Sequence, residues 1–474
     1  MNIIGRVNEQ GIIEQSINSG RPEFMVVYGR RRVGKTFLVK EYFNNRFAFY
    51  ATGVLDKNMR GQLKAFKESL VEYGDEDKTI PQDWFEAFRR LRHLMEKENV
   101  ARDEISGRRV IFLDEVPWMD TARSDFKSAL DFFWNSWASS QKDILLIVCG
   151  SATSWIINNI LFDTGGFYNR VTRRLYIEPF SLKECEEFYD SNGIKLSRSQ
   201  IIDSYMVFGG IPYYLNLLDK RLSLVQNIDA LVIKEQGQLH YEYDHLFRSL
   251  FKKPNNHFNI IKTLAKNKNG MVRTELVEKS GVSNGEGLTK TLNELEQCGF
   301  IRKYNNYTKK TKGLFYQLID PFVLFSHNFL KEMVVESWQT YHKSPSYYSW
   351  RGNAFEMVCL NHIAQIKNAL GISGVSSSEY SWSSKLKKRG VQIDLLLDRK
   401  DDVINICEMK YTDEDFVIDA KYEKELVHKV NVFRQEVKTD KALLLTLVTV
   451  KKLKRNAYSD VIQNVVSADD LFRV

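Results

Sequence analysis

Gly29-Arg30-Arg31-Arg32-Val33-Gly34-Lys35-Thr36 fits G-x-x-x-x-G-K-[ST], and the residues on both sides decide how it folds. Phe24-Met25-Val26-Val27-Tyr28 leads in as an unbroken apolar strand, and Thr36 to Tyr42 leads out with helical character. Strand, glycine-rich turn and helix in that order make a phosphate-binding loop. The glycines let backbone N–H groups turn inward onto phosphate oxygens, and the helix adds its positive N-terminal end. In this reading Gly29 and Gly34 shape the loop, Lys35 reaches the β- and γ-phosphates, and the Thr36 hydroxyl holds Mg²⁺. The expected ligands are therefore ATP and Mg²⁺.

Two further apolar runs extend the pattern. Val110-Ile111-Phe112-Leu113 ends in Asp114-Glu115. Asp114 would take a water ligand of the Mg²⁺, and Glu115 would polarise the water that attacks the γ-phosphate. Ile144 to Val148 ends in Cys149-Gly150-Ser151, which places Ser151 at a strand tip. There it is either a sensor of the γ-phosphate or the N-cap of a following helix. Continuous apolar runs of this kind suit parallel strands covered on both faces. Arg170, Arg173 and Arg174 follow, each an arginine-finger candidate or a solvated surface residue; a finger is worth roughly 10³–10⁵ in rate where one is used. Gly209-Gly210-Ile211-Pro212 marks a forced bend between helices.

These motifs resemble those of the archaeal-type, AAA+-like ATPases within the signal-transduction ATPase group. The likeness rests on Ile4-Gly5-Arg6, the phosphate loop, Leu113-Asp114-Glu115, Cys149-Gly150-Ser151 and Gly209-Gly210-Ile211-Pro212. It implies that Arg6 lies near the nucleotide and that this part switches between nucleotide states.

The bulk properties limit the alternatives. A chain of 474 residues suggests three domains at ~150 residues each. With 43% hydrophobic and 27% charged residues it has the composition of an ordinary globular protein. No apolar run nears the ~20 residues that span a bilayer, and the N-terminus lacks the pattern of a signal peptide. Five cysteines stand singly without a C-x-x-C pair, which favours reduced thiols, no structural zinc and a cytoplasmic location. A net charge of +8 permits nucleic-acid binding without demanding it.

Residues from about His257 to Leu318 read as three helices and a hairpin. The helices are Asn259 to Ala265, Arg273 to Ser280, and one carrying Leu288, Leu292 and Leu295; the strands are Ile301 to Tyr304 and Gly313 to Leu318 around Lys309-Lys310-Thr311-Lys312. Helix–turn–helix plus a basic hairpin is the winged-helix pattern. Either its third helix enters a major groove while the lysines meet phosphates, or the module only bridges its neighbours. The third helix exposes Lys290, Glu294 and Glu296, a mixed rather than basic set.

The last third holds Glu356 at the opening of a helix, Asp394 in the strand Ile393 to Leu397, and Glu408 and Lys410 two apart on the strand Val403 to Lys410. Residues two apart share a strand face, and a hairpin through Arg399-Lys400-Asp401-Asp402 would set Asp394 beside Glu408. Acids with a lysine beside them suit metal-assisted phosphodiester cleavage. Asp394 and Glu408 would bind Mg²⁺, and Lys410 would steady the nucleophile or the developing charge.

This set resembles the PD-(D/E)xK nuclease-like superfamily, with Asp394 as its D, Glu408-Met409-Lys410 as its ExK and Glu356 as the helix acid. Gln392-Ile393 stands where the name has proline. Taken together, the chain resembles archaeal-type ATPases with a C-terminal restriction-endonuclease-like domain. The resemblance implies an α/β multidomain fold. Residues 1–220 would be a P-loop ATPase with parallel sheet and helical lid, 221–335 a helical linker and winged helix, and 336–474 a nuclease-like domain. It implies ATP hydrolysis controlling DNA binding or cleavage, or a non-cleaving switch on the same fold, with DNA as partner and a homo-oligomer or protein partner as a further possibility. Lys385 to Arg389 and Lys451 to Arg455 are basic clusters that read equally as DNA contacts or solvated loops. The eight histidines lack ligand spacing, and His245, His257 and His362 read as ordinary residues.

Overall fold

The computed structural model describes residues 3–473 apart from 163, 164, 168, 306, 308–313, 334 and 385–389. The hairpin-tip lysines 309, 310 and 312 and the basic cluster 385–389 lie outside the described residues. The chain divides into two compact units, Met1–Pro179 and Phe180–Val474.

The first unit is built on five parallel strands: β1 (Glu23–Tyr28), β2 (Phe49–Thr52), β3 (Arg109–Asp114), β4 (Ile144–Gly150) and β5 (Arg173–Tyr176), in the order β2-β3-β4-β1-β5. The apolar runs of β3 and β4 are buried along their whole length. Parallel strands need that, because helices cover both faces. The principal helices here are α1 (Val7–Ile17), α2 (Lys35–Tyr42), α3 (Met59–Glu72), α4 (Trp84–Met95) and α5 (Phe126–Ser136). Phe24, Phe49, Phe66, Trp84, Phe88, Phe126 and Trp134 join sheet and helices in one aromatic-rich core. Burial of a side chain of that size contributes about 1.5–3 kcal/mol.

The second unit begins with α6 (Leu182–Ser191) and α7 (Arg198–Phe208), each opened by a serine in a reciprocal capping box. Gly209 and Gly210 then bend the chain, with φ of 65° and 66°. A Cβ on Gly210 would lie 2.2 Å from the Phe180 carbonyl oxygen, so only glycine fits there. Both helices fall in the second compact unit, which begins at Phe180.

Next come α8 (Asn255–Ala265), β6 (Met271–Val272), α9 (Arg273–Ser280), α10 (Glu286–Gln297), β7 (Ile301–Asn305) and β8 (Leu314–Leu318). The strands form an antiparallel sheet in the order β6-β8-β7. Leu264, Leu276, Leu288, Leu292, Leu295 and Phe300 close its core. We call this the middle segment.

The C-terminal part opens with α11 (Pro345–Asn361). Its sheet uses β9 (Ser377–Ser383), β10 (Gln392–Arg399) and β11 (Val403–Lys410) as an antiparallel meander, then β13 (Ala442–Thr449) and β15 (Asn464–Ser467) parallel to β11. A separate small ladder pairs β12 (Phe416–Val417) with β14 (Leu453–Lys454). Helix α12 (Ala420–Val437) connects β12 to β13, and its Leu426, Val432 and Phe433 pack with Ile404, Ile406 and Leu445 of the sheet.

One sequence expectation fails here. Glu356 does not open a helix; it lies well inside α11. That helix starts at Ser344-Pro345, where the serine side chain accepts the Tyr347 N–H and proline takes the first helical position.

Candidate functional site

The phosphate loop follows β1 at the carboxyl end of the sheet and leads into α2. Gly29 has φ 141°, and a Cβ there would lie 2.3 Å from the Ile177 carbonyl oxygen; Gly34 has φ 91°. The Lys35 side chain is buried, and its ammonium donates to the Gly29 and Arg30 carbonyl oxygens at 2.9 and 2.8 Å. It is thereby held across the mouth of the loop. The Thr36 hydroxyl donates to Asp114 Oδ2 at 2.8 Å, which joins the two residues expected at Mg²⁺. Arg6 is also buried, and its guanidinium donates to the Val33 carbonyl oxygen at 3.1 Å from inside the same loop.

Glu115 follows Asp114 with φ 47°, a left-handed conformation rare outside glycine. Ser151 orients it: its N–H and hydroxyl both donate to Glu115 Oε2, at 3.1 and 2.9 Å. Burial raises the Glu115 pKa, while Lys35 and the Ser151 N–H pull it down. Ser151 caps no helix, since the next one opens at Ala152 without a side-chain cap.

The arginines part company with this group. Arg173 pairs along the sheet with Met25, and its guanidinium reaches back to Glu23 at 3.6 Å. At ~3.3 Å per residue this is the far end of β1 from the loop. Its expected place at the nucleotide in its own chain is therefore corrected: a buried glutamate at the strand start draws it away. Arg170 is exposed in the turn before β5. Arg174 also precedes the sheet's carboxyl end, with its guanidinium over the Phe162 ring.

Residues 4–218 match the family described as an ATPase domain predominantly from Archaea. This segment is an archaeal-type ATPase domain. A protein of Methanocaldococcus jannaschii described as uncharacterized is 27% identical over 336 residues, covering 69% of this chain and 68% of that protein. An uncharacterized ATP-binding protein of the same organism is 37% identical over 43 residues, 9% of this chain and 73% of that protein. Among solved structures, the Walker-type ATPase PabY2304 of Pyrococcus abyssi superposes with a TM-score of 0.47 at 18% identity, covering 69% of this chain and 96% of that one. The ORC2 protein of Aeropyrum pernix does so with 0.45 at 14%, covering 69% and 94%. The archaeal-type ATPase domain takes ATP with Mg²⁺. The glycine cradle, the Lys35 ammonium and the Thr36–Asp114 pair are the residues here that fit them.

The C-terminal acids occupy neighbouring strands. Leu395 pairs with Cys407 at the end of the β10–β11 ladder, and Asp394 and Glu408 are the next residues on the two strands. Each acid is already engaged. Glu408 is met by Lys410 at 2.9 Å, Lys429 at 2.5 Å and the Tyr422 hydroxyl at 2.7 Å. Burial alone would raise its pKa, but the Lys429 and Lys410 ammonium groups hold it down at about 2. Asp394 accepts the Gln392 side-chain amide at 2.5 Å. Glu356 lies 3.4 Å from Lys268 of the middle segment. Its pKa is pushed up by burial and by Asp394, against the pull of Lys268 and Lys410.

Among the described residues, no group of three or more Asp, Glu, His or Cys side chains is placed to hold a metal ion. As they stand, the acids do not fit a divalent cation, because ammonium and amide groups already occupy their oxygens. Lys429, Tyr422, Gln392 and Lys268 were not anticipated from sequence. Tyr422 and Lys429 stand seven apart on one helix, spacing that puts them on one face, but nothing in the sequence says that the face meets Glu408. No helix among the described residues is long and apolar enough to cross a membrane.

Proposed function

We propose that the chain is an ATP-hydrolysing switch whose nucleotide state controls DNA binding or cleavage by its C-terminal part. Lys35 and Thr36 hold the triphosphate and its Mg²⁺ together with Asp114. Glu115, aimed by Ser151, polarises the attacking water. The observation that carries the ATPase half is the junction of Thr36 with Asp114 at 2.8 Å, which brings the two nucleotide motifs to one point. Arg6 steadies the loop through Val33. Arg170, exposed before β5, is the arginine left to act on a neighbouring subunit, should one assemble.

The middle segment is read as a winged helix and the C-terminal part as a nuclease-like domain with Glu356, Asp394, Glu408 and Lys410 as its centre. The pairing of Leu395 with Cys407, one residue before each acid along the ladder, supports this, as does Lys410 on the same strand face as Glu408. Cleavage would first require the acid oxygens to be freed from the lysines and the amide that engage them. A second reading, a DNA-binding or signalling switch on a non-cleaving nuclease-like fold, is favoured by that same engagement.

Plasmid nicking with Mg²⁺, with and without ATP, separates the two. The first reading expects nicking that responds to ATP and disappears in the Glu408→Ala/Lys410→Ala variant. Equal nicking by wild type and variant retires the nuclease assignment, while DNA binding without nicking selects the second reading. Loss of ATP turnover in Lys35→Ala tests the front half independently.

A further inference from the structure

A cavity of about 450 Å³ opens between α4 and α5 in the first unit, and none of Lys35, Thr36, Asp114 and Glu115 lines it. Phe85, Phe88 and Arg92 fall on one face of α4, and Ala129, Phe132 and Ser136 on one face of α5, at the three- and four-residue spacing of helical neighbours. The floor belongs to the core. Phe88, Phe133 and Trp137 are buried there, with ring centroids 5.3 Å apart for the first two and 5.4 Å for the last two. The lip does not. Phe85 is 42% exposed and Phe132 60%, their rings edge to face at 6.0 Å. A neighbouring cleft beside Met59, Leu63 and Ile80 has no aromatic side chain and shares only Gln82 with this cavity.

Charge at the rim is unevenly committed. Asp83 accepts the Glu86 N–H at 2.8 Å and Glu86 accepts the Gln82 N–H at 2.7 Å, so both acids are engaged in starting α4. The two arginines are held more loosely. Arg89 is 65% exposed and lies 3.8 Å from Glu86. Arg92 donates to Glu96 through Nε at 2.8 Å, while its guanidinium leans over the Trp137 ring, 6.0 Å from the centroid. Exposed ion pairs of this kind are weak, so an incoming anion displaces them at little cost.

We propose that this cavity binds a small aromatic carboxylate, with its rings against the aromatic floor and its anion on Arg89 and Arg92. The volume lies within the ~300–1,000 Å³ usual for small-molecule sites. Aromatic walls favour a flat ring in offset or edge-on contact, and a ligand there also takes Phe85 and Phe132 out of water. The planar fork of a guanidinium matches a carboxylate, which sets the sign and shape of the polar group. The boundary at Gln82 confines the ligand to the aromatic side.

The test is equilibrium dialysis of naphthoate, and of its neutral amide, against the full chain. Wild type is expected to bind the acid at least tenfold more tightly than the amide. In Arg89→Gln/Arg92→Gln that preference should shrink to within twofold, and Phe132→Ala should weaken both ligands. Arg60→Gln, an arginine of the neighbouring cleft, should change neither. Equal binding of acid and amide by wild type overturns the anion assignment, as does a preference that survives loss of both arginines. Absence of saturable naphthoate binding below about 1 mM overturns the site. Binding of a peptide ending in phenylalanine, without binding of naphthoate, also overturns it in favour of a protein partner. Melting curves check folding, and Phe85→Ala, at the other exposed ring, gives the same reading as Phe132→Ala.

Discussion

Glu115 is where backbone strain and chemistry meet in the ATPase site. A non-glycine residue at φ 47° is held there only if its surroundings over-determine it, and the two donors from Ser151 supply part of that hold. Glu115→Gln keeps the shape and removes the base. Steady-state turnover is expected to fall by about 10²–10⁴, with nucleotide affinity within a few-fold of wild type; a matching loss of affinity would assign Glu115 to binding instead. Arg173 gives the opposite pattern. Its guanidinium faces Glu23, a carboxylate with 0% exposure that Arg21 also meets at 3.1 Å, so Arg173→Ala removes one of the two cations at a buried charge. Stability should drop by about 1–3 kcal/mol, measured by urea unfolding, while turnover per folded molecule stays unchanged. Loss of turnover without loss of stability would restore the arginine to a catalytic role. The sequence displayed Arg173 as one of three equivalent candidates, because Glu23 lies 150 positions earlier and meets it only through parallel pairing of β1 with β5.

Elements show which signals are local. The strand face shared by Glu408 and Lys410, and the hairpin that joins β10 to β11, are legible because side chains alternate with a fixed period and the turn residues lie in sequence between the strands. The engagement of those acids is not, because Lys268, Lys429 and Gln392 arrive from the middle segment, a later helix and a neighbouring amide. His362 is another such case. It reads as an ordinary histidine, yet it is buried, and its Nε2 accepts the N–H of Leu182, the first residue of α6, at 3.0 Å. Its Nδ1 donates to the Val358 carbonyl oxygen at 2.7 Å, so the ring must be neutral for both bonds to form. Burial pushes its pKa down to about 4. Between an unfolded value near 6.5 and that folded value, the unfolded chain binds a proton that the folded chain does not. The stability this histidine supports is therefore complete above pH 6.5 and drains away as pH falls toward 4. At about 1.4 kcal/mol per unit the loss approaches ~3 kcal/mol. Unfolding midpoints in urea, followed from pH 7 to pH 4, should fall more steeply for wild type than for His362→Gln. Parallel curves would remove His362 from the account.

At the scale of the whole molecule, two compact units with separate cores make separate thermal transitions the expected behaviour. The glycine cradle, Lys35, Thr36, Asp114 and Glu115 all belong to the first unit, Met1–Pro179. A ligand that binds only the folded form stabilises what it binds, by about 2.7 kcal/mol at a hundredfold excess over its dissociation constant. For a unit of this size each kcal/mol moves the midpoint by about 2–4 °C. ADP with Mg²⁺ should therefore raise one calorimetric transition by roughly 5–10 °C and leave the other in place, and Lys35→Ala should abolish the shift. If both transitions rise together in wild type, nucleotide binding is felt in the second unit too, and the size of that second shift measures the coupling that any nucleotide control of the C-terminal part requires. A second transition that ignores nucleotide would confine the effect of ADP to the first unit. Control would then have to come from the difference between the ATP and ADP states, which the same scan with a non-hydrolysable ATP analogue reads directly: equal midpoints with both nucleotides would leave the proposed switch without a driving force.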